Sequence, residues 1–236
     1  MHNADMAADA SGPALPEDDA ASLSDAQKSL RAQMLATEHW SLLASRSTTQ
    51  SEVLTRIAIF LTLVSAGLVS LGVLGNATQF RGWFGAAAVG VLTLLVVLGA
   101  ITQLRVFNTA TEDLVYVLAM NRLRRGYLDL DPGMARYLVT GTTDDEAGAK
   151  TTYYPYATRD RSQVLASSMM VMLVVNTALV GLFSGAVVFA ATASPAWSIG
   201  VGAVVAIVQF VLWMRRGYRS YRSVLTAHAS LPASPG

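Results

Sequence analysis

The stretch SQVLASSMMVMLVVNTALVGLFSGAVVFAATASPAWSIGVGAVVAIVQFVLWM, Ser162–Met214, runs 53 residues without one Asp, Glu, Lys, Arg or His. A surface facing water needs polar groups every few residues, so so long an uncharged run argues against a soluble domain. A helix crossing the ~30 Å hydrocarbon core needs about 20 mostly apolar residues, each rising 1.5 Å. The run suffices for two crossings if it breaks near its middle, and Ala193-Ser194-Pro195-Ala196-Trp197 supplies the break. Two further uncharged runs, Ile57–Phe80 and Gly82–Leu104, each suffice for one. The sequence therefore predicts an all-α membrane protein with four transmembrane helices, at about 57–76, 83–104, 164–191 and 197–214, arranged as two antiparallel hairpins.

Composition agrees with that class: 53% of residues are hydrophobic and 14% charged. The absence of cysteine excludes disulfides, thiol chemistry and cysteine metal sites. The first 55 residues hold no apolar core of a cleavable signal, so the first span is expected to act as its own insertion signal. The net charge of +1 says little as a total, and its distribution says much. Lys28, Arg31, Arg46 and Arg56 precede the first span, eight basic residues lie in Arg105–Arg161, and Arg215, Arg216, Arg219 and Arg222 follow the last. Only Arg81 lies in a connection on the other side, so sixteen of seventeen basic residues fall on one face. Basic residues flanking spans stay in the cytoplasm, which predicts cytoplasmic N and C termini in a bacterial inner (plasma) membrane. Trp83 and Trp197 are then expected at the outer interface and Trp213 at the inner one.

Residues 1–22, rich in Ala, Asp, Ser and Pro, are expected to be disordered. Ser24 and Gln27 read as a capping box opening a helix that meets neither Gly nor Pro until past Ala66. Ala100–Arg125 likewise lacks both, so the region 23–130 is expected to form a long antiparallel hairpin whose lower half is a cytoplasmic stalk. Leu104, Phe107, Leu114 and Leu118 give the returning helix an apolar stripe at helical spacing. A linker at 131–162 follows, with one short helix opening at Asp131-Pro132 and running through Val139, and another starting after Thr143. The region 163–222 holds the second hairpin and a basic extension, and 223–236 reads as a flexible tail.

The spans carry no ionisable side chain. A charge at the bilayer centre costs about 2.5–3.5 kcal/mol on insertion scales and is kept chiefly for function. Its absence argues against proton pumps, voltage sensors and ion-coupled transporters. Neutral polarity remains: Asn176 in the third span, Gln209 in the fourth, Gln103 and Asn108 at the inner end of the second, and Thr62 and Ser70 in the first. Each reads either as a pore-lining or substrate contact or as an interhelical hydrogen bond, which is worth about 0.6 kcal/mol on average. Ala58, Thr62, Ala66 and Ser70 recur every four residues, as do Thr177, Gly181 and Gly185, a spacing that lets helix backbones approach closely. The partner of such a face is either within the chain or on another subunit.

Arg215, Arg216, Arg219 and Arg222 read as a topology anchor or as contacts to anionic lipid. Their interleaved Tyr218 and Tyr221 come with no nucleic-acid-binding motif. Asp144-Asp145-Glu146 reads as a helix start satisfying free amides, with cation binding as the rival. His39 beside Trp40 has no second metal ligand nearby. No nucleophile elbow, phosphate-binding glycine loop or paired-histidine motif is present, so neither an enzyme nor a cofactor is expected.

Thr37-Glu38-His39-Trp40-Ser41-Leu42-Leu43-Ala44, followed by a span and then by Met120-Asn121-Arg122-Leu123-Arg124-Arg125-Gly126-Tyr127-Leu128, resembles a family of uncharacterised bacterial four-transmembrane integral membrane proteins. Tyr137-Leu138-Val139-Thr140-Gly141 leading into Asp144-Asp145-Glu146 is similar to the same family, and the likeness covers roughly 30–150. It implies a fold and no activity. The order of a cytoplasmic helix, two spans and a returning helix is also similar in topology to SMODS- and SLOG-associating two-transmembrane (SLATT-like) effector domains, thought to assemble into membrane-disrupting pores. This chain departs from them in its second pair of spans and in lacking a nucleotide sensor, and topology does not fix function. The expectation that follows is a non-enzymatic homo-oligomer in the lipid bilayer, an ion channel or membrane effector controlled by its cytoplasmic helices. The alternatives are a scaffold or regulatory subunit docking a cytoplasmic protein and, third, a small-molecule carrier.

Overall fold

The computed structural model describes residues 23–156 and 167–227. The expected disordered tail at 1–22, the approach to the third span at 157–166 and the last residues 228–236 lie outside the described residues. Ser24 opens the first helix with the reciprocal pair of bonds its spacing with Gln27 predicts. The Gln27 N–H donates to the Ser24 hydroxyl at 3.3 Å, and the Ser24 N–H donates to Gln27 Oε1 at 2.9 Å. From there α1 runs unbroken over Asp25–Thr78. Its 54 residues span ~80 Å, well over twice the hydrocarbon thickness.

The turn after α1 depends on backbone conformations unusual for L-residues. Gln79 and Phe80 take φ of 51° and 56°, and Gly82 takes 61°. The Phe80 N–H donates to the Gly75 carbonyl at 2.8 Å, closing the helix end. The Phe80 ring lies so close over Gly75 that a Cβ there would overlap it. Phe80 also meets Phe84 edge-on, with ring centroids 5.2 Å apart, which pins the start of α2.

Helix α2 (Phe84–Leu130) returns through the same thickness and continues past it. Asp131 then accepts from the Gly133 N–H at 2.9 Å and opens a helix with Pro132 in first position. That helix, Pro132–Tyr137, is a 3₁₀ helix and ends two residues before the predicted Val139, in keeping with the short runs this geometry sustains. Helix α3 (Glu146–Tyr153) is capped by Asp145 and not by Thr143. Asp145 Oδ1 accepts from the Gly148 N–H at 2.7 Å, and the Thr143 hydroxyl donates to the same oxygen at 2.8 Å, so Thr143 orients the cap. Helix α4 covers Ser168–Thr192. After Ala193 in the left-handed region, Pro195 begins α5 (Pro195–Ala227). That helix continues five residues past Arg222, into part of the region expected to be a flexible tail.

The fold is all-α, with no strand among the described residues, and α1, α2, α4 and α5 are each long and apolar enough to cross a membrane. Helices α1 and α2 form one hairpin, α4 and α5 the other, and the α2–α4 contact joins them. Val53, Ile57, Phe60 and Val64 of α1, at helical spacing, pack with Leu92, Leu95 and Val106 of α2 and Met172 and Leu179 of α4. A second core lies beyond the spans at the arginine-rich end. There Leu114, Val117, Leu118 and Met120 of α2 meet Ala149 of α3, with Leu42 of α1 and Tyr221, Val224 and Leu225 of α5 around them. The stalk core thus draws on α1, α2, α3 and α5.

Candidate functional site

In the spanning region the structure brings together two of the candidate polar residues. The Asn176 carboxamide on α4 donates to Gln103 Oε1 on α2, and both side chains are buried. Asn176 Oδ1 and Gln103 Nε2 have no partner among the described residues. Gly99, one turn before Gln103, makes room for the amide: a Cβ there would overlap Asn176 Oδ1 and come within 2.9 Å of the Phe60 ring. Asn176 also borders a groove of about 390 Å³ between α2, α4 and α5, open at the side and lined by Val96, Ala100, Val205, Gln209 and Trp213 among others. The side chain of half-buried Gln209 has no hydrogen-bond partner among the described residues. Thr62 and Ser70 do not join these groups, because they lie exposed on the far side of α1. The Thr62 hydroxyl donates back to the Ala58 carbonyl at 2.9 Å.

The two small-residue faces separate in the same way. Gly181 and Gly185 of α4 face Gly202 and Ser198 of α5, and the Ser198 hydroxyl donates to the Gly185 carbonyl. A Cβ on Gly202 would stand 2.7 Å from the Gly181 carbonyl oxygen, a backbone atom with nowhere to move. Ala58, Thr62, Ala66 and Ser70 by contrast are all exposed.

The densest polar chemistry lies in the stalk, around a residue the sequence does not single out. Asp113 on α2 accepts from Arg46 Nε at 2.6 Å, Arg46 Nη2 at 3.2 Å, Gln50 Nε2 at 2.7 Å and the Tyr153 hydroxyl at 2.7 Å. One carboxylate therefore ties α1, α2 and α3. Burial, and then the Asp113 charge, push the Tyr153 hydroxyl above its ordinary range, so it stays a donor. One step further from the spans, buried Asn121 donates to the Thr143 carbonyl at 2.9 Å and accepts from Arg124 and from the Thr152 hydroxyl, both at 2.7 Å. Arg122 pairs with Asp144 at 2.6 Å, strapping the linker onto α2. A sequence signal existed in the acidic pair Glu112-Asp113, which follows the apolar span on the same helix and needs cationic partners.

Asp144-Asp145-Glu146 is divided among three tasks. Asp144 holds Arg122, Asp145 caps α3, and Glu146 pairs with Lys150 at 2.9 Å. The Gly148 N–H keeps the Asp145 carboxyl below its ordinary range, and Lys150 does the same for Glu146. No group of three His, Cys, Asp or Glu side chains with metal-binding geometry occurs among the described residues. His39 stacks on Tyr127 with ring centroids 6.1 Å apart. Burial, with Arg124 nearby, holds its imidazole below the ordinary 6.5. Arg222 lies over the Tyr218 ring at 5.5 Å and acts electrostatically on Glu146 of α3. Arg215, Arg216 and Arg219 line a separate exposed depression on α5. Comparison with family models, with curated proteins and with solved structures finds no match to this chain, so its function is read from its own geometry.

Proposed function

We propose that the chain is a non-enzymatic, homo-oligomeric protein of the bacterial plasma membrane, with both termini cytoplasmic, and that its α1 helices gather around the assembly axis to form an ion path controlled by the stalk. The observation that carries the assembly is the outward face of α1. Thr37, Ser41, Ala44, Thr48, Ser51, Thr55, Ala58 and Thr62 alternate at spacings of four and three, and Ala66 and Ser70 continue the line. All are exposed in the single chain. That heptad spacing keeps one seam facing a parallel partner, and small side chains let the backbones approach. The hydroxyls of Thr37, Thr48, Thr55 and Thr62 donate to carbonyls four residues back at 2.9–3.0 Å. The seam therefore demands no polar partner for close contact. Since Asn176 and Gln103 turn towards each other, a path through one chain's four helices gains no support from them.

Coupling follows from the Asp113 junction. A force turning the α1 stalk acts on α2 and α3 through four hydrogen bonds, and α1 and α2 enter the membrane without a break. Because the chain lacks cysteine, single cysteines test the assembly directly. Thr48→Cys and Ala58→Cys are expected to give disulfide-linked dimers on mild oxidation in membranes, and Val97→Cys, exposed on α2, none. Absence of cross-links at both seam positions removes the α1 axis. Reconstitution into planar bilayers tests conduction, and zero current from correctly assembled protein removes the channel. A scaffold is the second reading, favoured by Leu30 and Met34, which are 59% and 66% exposed on the part of α1 beyond its contact with Gly126. Under that reading a soluble partner co-purifies in fixed stoichiometry and is lost with Met34→Glu.

A further inference from the structure

From one face of α5, we infer a binding site for an anionic phospholipid, its acyl chain in the groove beside Gln209 and its phosphate against Arg215, Arg216 and Arg219. The inference rests on the proposed membrane insertion and deepens it by naming a ligand. Val205, Gln209, Leu212, Arg216 and Arg219 follow one another at three or four residues, so a single helix face carries the apolar groove into the basic depression. Leu212 lines both. Val205 precedes Arg215 by ten residues, ~15 Å along the axis, which is half the ~30 Å hydrocarbon core. The groove thus runs from the headgroup level at the arginine-rich end to about the bilayer midplane, the depth of one leaflet.

The charged end of this path suits a phosphate and its apolar end an acyl chain. None of Arg215, Arg216 and Arg219 has a carboxylate partner among the described residues, so their charge is free for a phosphate. Gln209, whose side chain has no hydrogen-bond partner among the described residues, lies six residues, ~9 Å, from Arg215 along the helix and gives the groove its polar point. The facing wall is aliphatic, from Val96 and Ala100 of α2 and Val180 of α4. Arg222 is not part of the site, because it lies over Tyr218 and acts on α3. An arginine at an anionic surface contributes about fivefold in lipid preference, and three on one face compound it.

Trp213 lines the groove and reports its occupant. With Trp40, Trp83 and Trp197 replaced by Phe, the protein is placed in phosphatidylcholine vesicles holding equal mole fractions of brominated phosphatidylglycerol or brominated phosphatidylcholine. The anionic lipid is expected to quench Trp213 at a several-fold lower mole fraction. Arg215→Gln with Arg219→Gln should bring the two lipids level, and Arg222→Gln should leave the preference intact. Ala100→Leu with Val180→Phe fills the groove with every arginine in place, and should also abolish the preference. Equal quenching in the starting protein overturns the site while leaving membrane insertion standing. A preference that survives groove filling overturns it too, by showing charge attraction alone. Quenching by neither lipid overturns the site and the insertion together.

Discussion

Among single residues, the buried carboxamide pair and His39 have the sharpest consequences. Asn176→Leu leaves Gln103 buried with no partner, at a cost of about 1–3 kcal/mol, whereas Asn176→Leu with Gln103→Leu should recover most of it, because two apolar groups in lipid have nothing left to satisfy. A double-mutant cycle from unfolding in mixed micelles measures the coupling, and additive effects would show that the bond is not formed. His39 binds a proton less readily in the folded stalk than in the unfolded chain, through burial and Arg124. The unfolded state therefore takes up more protons as pH falls through 6.5, so the stability His39 contributes is present above that pH and is lost below it. The stalk is expected to melt at lower temperature at pH 5 than at pH 7, and His39→Phe to flatten that difference. An unchanged slope in the variant would place the acid sensitivity elsewhere.

Between elements, packing at the α4–α5 contact depends on what a methyl group would meet. Gly202→Ala drives a Cβ towards the Gly181 carbonyl oxygen and should cost about 1–3 kcal/mol of stability. Gly200→Ala, two residues away with nothing within 4 Å, should instead gain about 0.5–1 kcal/mol through lower backbone entropy in the unfolded chain. Comparing the two variants' unfolding separates close packing from helix propensity. In the stalk, Asp113→Asn removes the charge that holds half-buried Arg46 and weakens three elements at once. Hydrogen exchange should rise over 35–50 and over α3 while the spans keep their protection. A rise confined to α2 would mean that Asp113 ties nothing across helices.

For the molecule as a whole, the charge asymmetry predicts a sidedness that can be tested. Cysteines introduced at Ala77 and Ser194 should react with an impermeant thiol reagent added outside intact cells, and one at Thr142 only after permeabilisation. The reverse pattern would invert the proposed topology and move the phospholipid site to the outer leaflet. With the hairpins joined at α2–α4 and the stalk gathered around Asp113, α1, α2 and α5 each run without a break between the stalk and the spans.

Insertion energy is summed along each segment by itself, so the uncharged runs and their flanking arginines were enough to read four spans, and the Ser24–Gln27 spacing enough to place the start of α1. Even the close-packing glycines were legible as a type, since Gly181 and Gly185 recur at the right interval. What they pack against was not. Lipid tails are as apolar as leucine, and the choice of partner in a membrane turns on backbone approach and on hydrogen bonds between residues far apart in the chain. Only the tertiary structure could join Asn176 to Gln103 across 73 residues, gather Arg46, Gln50 and Tyr153 on Asp113, and spend one small-residue face inside the fold while leaving that of α1 open.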